Sequence, residues 1–390
     1  MSIHSISNTI EQALAKAGLD THSGPTQSVL ETIRKALEAA RIAQTAPARA
    51  ADEDSNTIDV DARVVADEAQ PEAAPTERTA TPSHGRFLRL QYSGTGGKRA
   101  YKLYVPAHAR GEPMPLVVML HGCKQNADDF AAGTRINALA DEQGFLVAYP
   151  EQSAKANGSN CWNWFEPRDQ TRHGAEPSII AGIVREIGEA HAVDERRVFV
   201  AGLSAGAAMA VILGETHPDV FAAVGVHSGL PYGAAHDVAS AFAAMHGAVH
   251  AESGVHAPAR TPSRQVPAGS RGVPTIVFHG DRDATVALKN GAAIAERASA
   301  NLASETGPLK SEVESHTAHG RRCTRTAYVD EDGLPWVEQW TVHGAGHAWS
   351  GGSAAGSFAD PQGPDASREM MRFFMLHELR ESAALETAAT

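Results

Sequence analysis

Residues 198–212 of the chain have the sequence VFVAGLSAGAAMAVI, in which an apolar run leads through two glycines into an alanine-rich stretch. Val198 to Ala201 is typical of a short buried strand and Ala205 to His217 of a helix, so a tight turn must join them. Similar apolar runs recur along the chain, with helical stretches such as Pro177 to His191 between most of them: Leu116 to Leu120, Phe145 to Tyr149, Ala222 to Val226 and Thr275 to Phe278. The alternation predicts an α/β fold, with a mainly parallel central sheet, helices on both faces and ligand sites at the carboxyl ends of the strands.

The 390 residues suffice for one large domain with smaller segments attached. Residues 1–45 hold two short amphipathic stretches and predict a helical segment, either docked on the domain or lying on an apolar surface. Residues 46–85 are an expected flexible linker rich in Pro and Ala, with nine acidic residues against three arginines. The α/β domain is expected over residues 86–380, with an insertion of helix and loop at 231–272 and a tail at 381–390.

The composition argues against several classes of protein. A net charge of −12 and a pI near 5.9 lack the basic footprint of nucleic-acid binding. No apolar run is long enough for a transmembrane segment, and three cysteines exclude a scaffold built on disulfides. Met1 to Ala17 intersperses polar residues among apolar ones and does not resemble a signal peptide, so cytoplasmic residence is expected.

The turn Gly202-Leu203-Ser204-Ala205-Gly206 carries the chemistry that this fold class implies. A serine between two glycines, after a strand and before a helix, is typical of the nucleophile elbow of the α/β-hydrolase fold. A serine hydroxyl is a weak nucleophile, so it needs a histidine base and an acid that orients the base. In this fold the three follow the chain order serine, acid, histidine, and candidates for the later two follow Ser204 in that order.

Two acids and two histidines compete for these positions. Asp281 and Asp283 both follow the strand Thr275 to Phe278, and Asp283 is favoured because the earlier acid usually caps the turn. His343 still belongs to a predicted strand that ends at Val342, whereas His347 lies beyond a Gly-Ala-Gly bend. His347 is therefore the predicted base, and Asp283 its predicted partner.

The negative charge on the reacting oxygen needs at least two fixed donors. One is expected to be the backbone N–H of Ala205, directly after the nucleophile. The second is expected from the loop after Leu116 to Leu120, where the N–H of Cys123 is favoured and that of Gly122 is the alternative.

These motifs together resemble the polyhydroxybutyrate (PHB) depolymerase family of esterases, which includes related feruloyl and acetylxylan esterases. The resemblance covers roughly Arg86 to Leu379. Its most specific parts are H-G-C, ending at Cys123, and C-W-N-W, beginning at Cys161. The other matching motifs are the serine turn, His227-Ser228-Gly229-Leu230-Pro231-Tyr232, H-G-D-x-D and Gly346-His347-Ala348-Trp349.

The resemblance implies a serine esterase without metal or organic cofactor that cleaves short-chain hydroxyacid polyesters or other small esters. Feruloyl or acetylxylan ester hydrolysis is the alternative within the family, and a non-catalytic granule-binding protein is the alternative of another class. The resemblance also implies a disulfide between Cys123 and Cys161, although a cytoplasmic location would work against it. Intracellular relatives act on storage granules, so the surface of a granule is an expected partner.

Three tryptophans lie in the matching motifs, and aromatic faces suit an apolar substrate. Trp349 is assigned to the substrate pocket and Trp164 to the core. Trp162 is a pocket candidate for which core packing is an equal alternative.

Overall fold

The computed structural model describes residues 85–94, 96–107, 109, 111–247 and 272–380. The predicted N-terminal segment at 1–45, the linker up to residue 84 and the tail at 381–390 lie outside the described residues. So does most of the predicted insertion, of which residues 231–247 and 272 are described.

A mixed sheet of ten strands forms the centre of the described chain, and a separate pair of very short strands lies beside it. The strands are β1 Arg86–Gly94, β2 Gly97–Val105, β3 Met114–Leu120, β4 Leu146–Pro150, β5 Val193–Leu203, β6 Ala223–His227, β7 Thr275–Gly280, β8 Lys310–Ala318, β9 Arg321–Val329, β10 Pro335–Val342, β11 Trp349–Ser350 and β12 Ala359–Asp360. Their order in the large sheet is β1-β2-β4-β3-β5-β6-β7-β10-β9-β8. The six neighbouring strands β4, β3, β5, β6, β7 and β10 are parallel to one another. An antiparallel hairpin lies at each edge of the sheet, β1 with β2 and β8 with β9.

Seven α-helices accompany the strands in the part of the chain that the structure describes. They are α1 Ala127–Thr134, α2 Ile136–Gln143, α3 Ala175–Ala190, α4 Ala205–Thr216, α5 Val238–Met245, α6 Lys289–Thr306 and α7 Ala366–Phe374. Apolar side chains of α3, α4 and α6 belong to one buried cluster, and those of α1, α2 and α7 belong to another. The helices therefore cover both faces of the sheet, as the sequence predicts.

The sequence of β3 shows why the sheet is buried on both faces. Successive side chains of a strand point to opposite faces, and Leu116 and Val118 pack in the first cluster whereas Val117 and Met119 pack in the second. All four are fully buried. An uninterrupted apolar run is the pattern expected of a parallel strand covered on both sides.

The hairpin of β8 and β9 is absent from the sequence predictions. Its outer strand β8 is exposed along nearly its whole length and carries alternating polar residues, so no apolar face marks it. The partner β9 does bury Cys323, Ala327 and Val329. These residues fall on one face of a strand, so the alternation of apolar and polar residues in β9 could have revealed it.

The parallel strands bring three loops to one edge of the sheet. β5 pairs with β6 up to Leu203 and His227, and β7 pairs with β10 up to Gly280 and Val342. The loops after β5, β7 and β10 therefore start side by side, and these loops carry the predicted serine, acid and histidine.

Candidate active site

Ser204 occupies the turn between β5 and α4 in a backbone conformation that side chains rarely adopt, with φ 57° and ψ −120°. Its backbone N–H donates to the carbonyl oxygen of His227 at 2.9 Å, which ties the turn to the end of β6. A strained residue held by its surroundings is characteristic of functional sites. Ser204 is thus the candidate nucleophile on structural grounds as well.

The two glycines of the motif are required by close backbone contacts. A Cβ on Gly202 would lie 2.4 Å from the carbonyl carbon of Gly206, and a Cβ on Gly206 would lie 2.1 Å from the oxygen of Leu120. Both distances are far below van der Waals contact, so no larger residue fits at either position without moving the strand ends. The two glycines therefore allow a tight turn that places Ser204 at the edge of the sheet.

Asp283 and His347 form the candidate acid–base pair. His347 Nδ1 lies 2.7 Å from Asp283 Oδ2, and the carboxylate side chain is fully buried. Burial alone raises the pKa of a carboxyl, but hydrogen bonds from His347 and from the amides of Val286 and Thr285 outweigh it and lower the pKa of Asp283 to about 2. The carboxylate is therefore ionised at neutral pH and holds His347 with Nε2 as the nitrogen that can accept a proton.

Asp281 and His343 form a second pair beside the first. His343 Nδ1 lies 2.9 Å from Asp281 Oδ2, and its Nε2 lies 2.9 Å from the hydroxyl of Thr324. Both ring nitrogens of His343 thus have partners that hold the ring in place. Asp281 also accepts the N–H of Gly344 at 2.7 Å, so this pair joins the two loops that carry Asp283 and His347.

The loop after β3 supplies the candidate oxyanion donors. The N–H of Gly122 donates to Gln125 Oε1 at 2.9 Å and is therefore occupied. Within the described part of the chain the amides of Cys123 and Ala205 donate no hydrogen bond to another residue. This difference favours Cys123 over Gly122 as the second donor, because an oxyanion hole needs backbone donors with no other acceptor.

The structure pairs Cys123 with Cys161 in a disulfide, which joins the oxyanion loop to the C-W-N-W segment. That segment is itself anchored, because Asn163 donates from its backbone and its side chain to the buried carboxylate of Glu176, both at 2.8 Å. Burial raises the pKa of Glu176. The C-W-N-W segment therefore acts as a support beneath the oxyanion loop.

The structure corrects the predicted pocket role of Trp349, and for Trp162 it favours the alternative of core packing. Trp162 is 0% exposed and Trp349 is 1% exposed, so neither ring presents a surface to a substrate. Their indole N–H groups donate inside the protein, from Trp162 to the carbonyl oxygen of His121 and from Trp349 to the hydroxyl of Ser367, each at 3.1 Å. An aromatic residue with its polar atom satisfied internally is a packing residue. Trp164 is buried as expected.

His227 has a supporting role that the sequence analysis did not predict. Its ring stacks on Trp349 with 5.3 Å between the centroids, and its Nε2 accepts the N–H of Ser350 at 3.0 Å. Burial lowers the pKa of His227 to about 3, so the ring is neutral at pH 7. Since its carbonyl also holds Ser204, His227 connects the nucleophile turn with the segment after His347. His227 is the first residue of one of the motifs that match the family, and this was the sequence feature from which its role could have been predicted.

No group of three or more His, Cys, Asp or Glu side chains in the described ranges has the arrangement of a metal site. Among the described helices, none combines the length and the apolar character that crossing a membrane requires.

The disulfide gives a testable expectation for the oxyanion loop. Cys161→Ala should lower kcat on the order of tenfold with a smaller effect on KM, because the loop that carries the Cys123 amide loses an anchor; removing an oxyanion donor outright costs roughly 10²–10³. Steady-state kinetics check the prediction.

Cys323→Ala is the control, since this buried cysteine forms no disulfide. The native chain should show one titratable thiol after denaturation without reductant. An unchanged kcat in Cys161→Ala would contradict the supporting role of the disulfide.

Comparison with known sequences gives one family match and several similar proteins. The family described as esterase PHB depolymerase matches residues 99–305. Poly(3-hydroxyalkanoate) depolymerase C of Paucimonas lemoignei is 35% identical over 251 residues, 62% of this chain and 56% of that protein. Feruloyl esterase B of Thermothelomyces thermophilus is 34% identical over 140 residues, 36% of this chain and 47% of that protein. The chain therefore spans about half the length of these relatives.

Among solved structures, the acetyl xylan esterase from Aspergillus awamori is similar to this chain with a TM-score of 0.56. The match covers 74% of this chain and 99% of that one at 20% sequence identity. At this level of identity the likeness concerns the fold, and it confirms the predicted α/β-hydrolase architecture.

Proposed function

Because the chain belongs to the esterase PHB depolymerase family, we propose that it is a serine-dependent carboxylic ester hydrolase acting on short-chain hydroxyacid polyesters and their oligomers. The observation that carries the proposal is the hydrogen bond between His347 and the buried carboxylate of Asp283. It lies at the sheet edge that also carries the strained Ser204 turn and the amides of Cys123 and Ala205, which have no acceptor among the described residues. This set of groups is what acyl transfer through a serine requires.

The proposed reaction has two halves. Ser204 Oγ attacks the ester carbonyl carbon while His347 Nε2 takes the hydroxyl proton, and the amides of Cys123 and Ala205 donate to the negative oxygen. The bond to the alcohol oxygen then breaks, and His347 returns the proton to that oxygen. In the second half a water molecule, deprotonated by His347, attacks the acyl-enzyme and releases the acid, with the proton passing back to Ser204.

Polyester is favoured over plant-wall esters as the substrate because of the extent of the similarity. The polyhydroxyalkanoate depolymerase from Paucimonas lemoignei aligns over 251 residues, whereas the feruloyl esterase from Thermothelomyces thermophilus aligns over 140. The longer alignment covers 62% of this chain and the shorter one 36%.

A panel of substrates tests this proposal. The full chain is incubated with amorphous PHB granules, crystalline PHB, feruloylated xylan, acetylated xylan and p-nitrophenyl butyrate, and the released acids are quantified by liquid chromatography. We expect hydroxybutyrate oligomers to be released faster than ferulate or acetate. Faster release of ferulate or acetate would favour the family alternative. No hydrolysis of any member, with retained binding to granules, would favour a non-catalytic binding protein.

Granule association and a cytoplasmic location stay predictions. The predicted helical segment at residues 1–45, on which granule association rests, lies outside the described residues. The Cys123–Cys161 disulfide weighs against the cytoplasm, because that compartment keeps most thiols reduced.

A further inference from the structure

Phe358 is an exposed apolar residue at the candidate active site. Its side chain is 44% exposed, and its ring lies edge-on to His347 with 6.4 Å between the ring centroids. Single exposed apolar residues are common on protein surfaces and need no explanation by themselves. This one borders the catalytic base of a site whose two predicted aromatic contacts, Trp162 and Trp349, are buried in the core.

The backbone of Phe358 is held in an unfavourable conformation. Its φ of 50° lies in the left-handed region, which a bulky residue adopts only when its surroundings enforce it. The carbonyl oxygen of Phe358 accepts the N–H of Trp349 at 2.7 Å, where β11 and β12 meet. A glycine would adopt this conformation without strain. The phenylalanine at this position therefore carries backbone strain that a glycine would avoid.

The residues on either side of Phe358 are fixed to the catalytic loops. Ser357 N–H donates to Asp129 Oδ1 at 2.8 Å, and the carbonyl oxygen of Ser357 accepts from Gln125 at 3.0 Å. Gln125 is the residue that also accepts the N–H of Gly122 in the oxyanion loop. On the other side, Asp360 binds Arg321, which donates to the oxygen of Gly344 before His347. The backbone that carries the Phe358 ring is therefore anchored both to the oxyanion loop and to the loop of the base.

The proximity to His347 indicates which part of an ester the ring would meet. The base must hand its proton to the alcohol oxygen of the leaving group, so the alcohol portion lies on the His347 side of the carbonyl carbon. We propose that Phe358 contacts the alcohol portion of the substrate and sets a preference for apolar leaving groups. In a polyester the alcohol portion is the next hydroxyacyl unit with its alkyl substituent. This inference rests on the proposed function.

A series of butyrate esters that differ only in the alcohol tests the inference. The full chain and its Phe358→Ala and Phe358→Leu variants are assayed on methyl, butyl and 2-phenylethyl butyrate. Phe358→Ala should lose roughly tenfold in kcat/KM on the 2-phenylethyl ester and less than about twofold on the methyl ester, since apolar contacts of this size discriminate by about that factor. Phe358→Leu should recover most of the loss, because it restores apolar contact area.

Two comparisons separate this role from others. One comparison uses methyl esters with acyl chains of increasing length. The dependence of kcat/KM on acyl length should be the same in the wild type and in Phe358→Ala. Phe87→Ala is the matched control, because Phe87 is 36% exposed on β1, four strands from β5 in the sheet. It should leave the preference for the alcohol unchanged.

Three results would overturn the assignment of Phe358. An equal loss on every ester would mean that the ring orients His347, a loss confined to long acyl chains would place it on the acyl side, and no loss would show that it does not contact substrate. Hydrolysis of methyl butyrate by the wild type tests the proposed function separately. A wild-type chain that hydrolyses no ester would overturn both proposals, whereas an active chain with an unchanged preference in Phe358→Ala would overturn this one alone.

Discussion

Ser204→Ala is expected to lower kcat for ester hydrolysis by about 10⁶-fold, the scale seen when the nucleophile of a serine hydrolase is removed. The variant lacks the oxygen that forms the acyl-enzyme, while its oxyanion donors and its Asp283–His347 pair are retained. Initial-rate measurements with p-nitrophenyl butyrate check the prediction. Because alanine keeps the Cβ and the backbone strain of residue 204, the thermal unfolding midpoint should change little.

The matched control for this variant is Ser304→Ala. Ser304 is exposed near the end of α6, and its hydroxyl donates to the carbonyl oxygen of Asn301. Its removal should leave kcat within about twofold, since most substitutions on the surface change stability by less than 0.5 kcal/mol. If Ser204→Ala keeps near-normal activity while Ser304→Ala does as well, Ser204 is not the nucleophile.

Asp283→Asn is expected to lower kcat by about 10⁴-fold with little change in KM. The exchange of a triad aspartate for asparagine leaves the geometry in place but stabilises the wrong tautomer of the histidine and removes the charge that supports the imidazolium. The hydrogen bonds that lower the pKa of Asp283 to about 2 keep this charge present throughout the neutral range. Asp283 itself should therefore add no ionisation step to the dependence of the wild-type kcat on pH between pH 6 and pH 8.

Asp281→Asn is the control for the choice of acid. Asp281 binds His343 and the N–H of Gly344, and its carboxylate is partly exposed. Its hydrogen bonds contribute about 1 kcal/mol each, so weakening one should cost less than about tenfold in kcat. A larger loss for Asp281→Asn than for Asp283→Asn would assign the catalytic pair to Asp281 and His343 and contradict the account.

The sheet could be predicted from the sequence because each parallel strand is buried on both faces. The apolar runs at β3, β4, β5, β6 and β7 stand out from the helices between them, and the structure has a strand at each. Strand ends were less predictable: β5 begins at Val193, five residues before the apolar run at Val198. Four of these five residues, Asp194 to Arg197, are charged and partly exposed, so burial does not mark them in the sequence.

The candidate acid and base could be predicted because features of the turns distinguish them from Asp281 and His343. The earlier acid usually caps the turn, and His347 lies beyond the Gly-Ala-Gly bend. Asp283 and His347 follow the ends of parallel neighbours, and the structure brings their side chains into contact at 2.7 Å. The sequence favoured Cys123 over Gly122 as the second donor but left Gly122 open, because the hydrogen bond from Gly122 to Gln125 is not visible in the sequence. That contact forms only when the loop after β3 folds.

The tryptophans show that a motif alone does not predict whether an aromatic side chain lies in the core or lines the substrate pocket. Trp162 and Trp349 lie next to catalytic motifs in the sequence, yet a large ring serves equally well as core packing or as a pocket wall. Only their burial distinguishes the two roles. Phe358 had no motif or periodicity to mark it, because its position beside His347 arises from the pairing of β11 with β12.

The most direct test of the central claim is covalent labelling of the full chain with a fluorophosphonate, followed by peptide mass spectrometry. We expect one phosphonyl group per chain, on the peptide that contains Ser204, with labelling abolished in Ser204→Ala and strongly slowed in Asp283→Asn. Labelling at another serine, or no labelling of a folded chain, would contradict it.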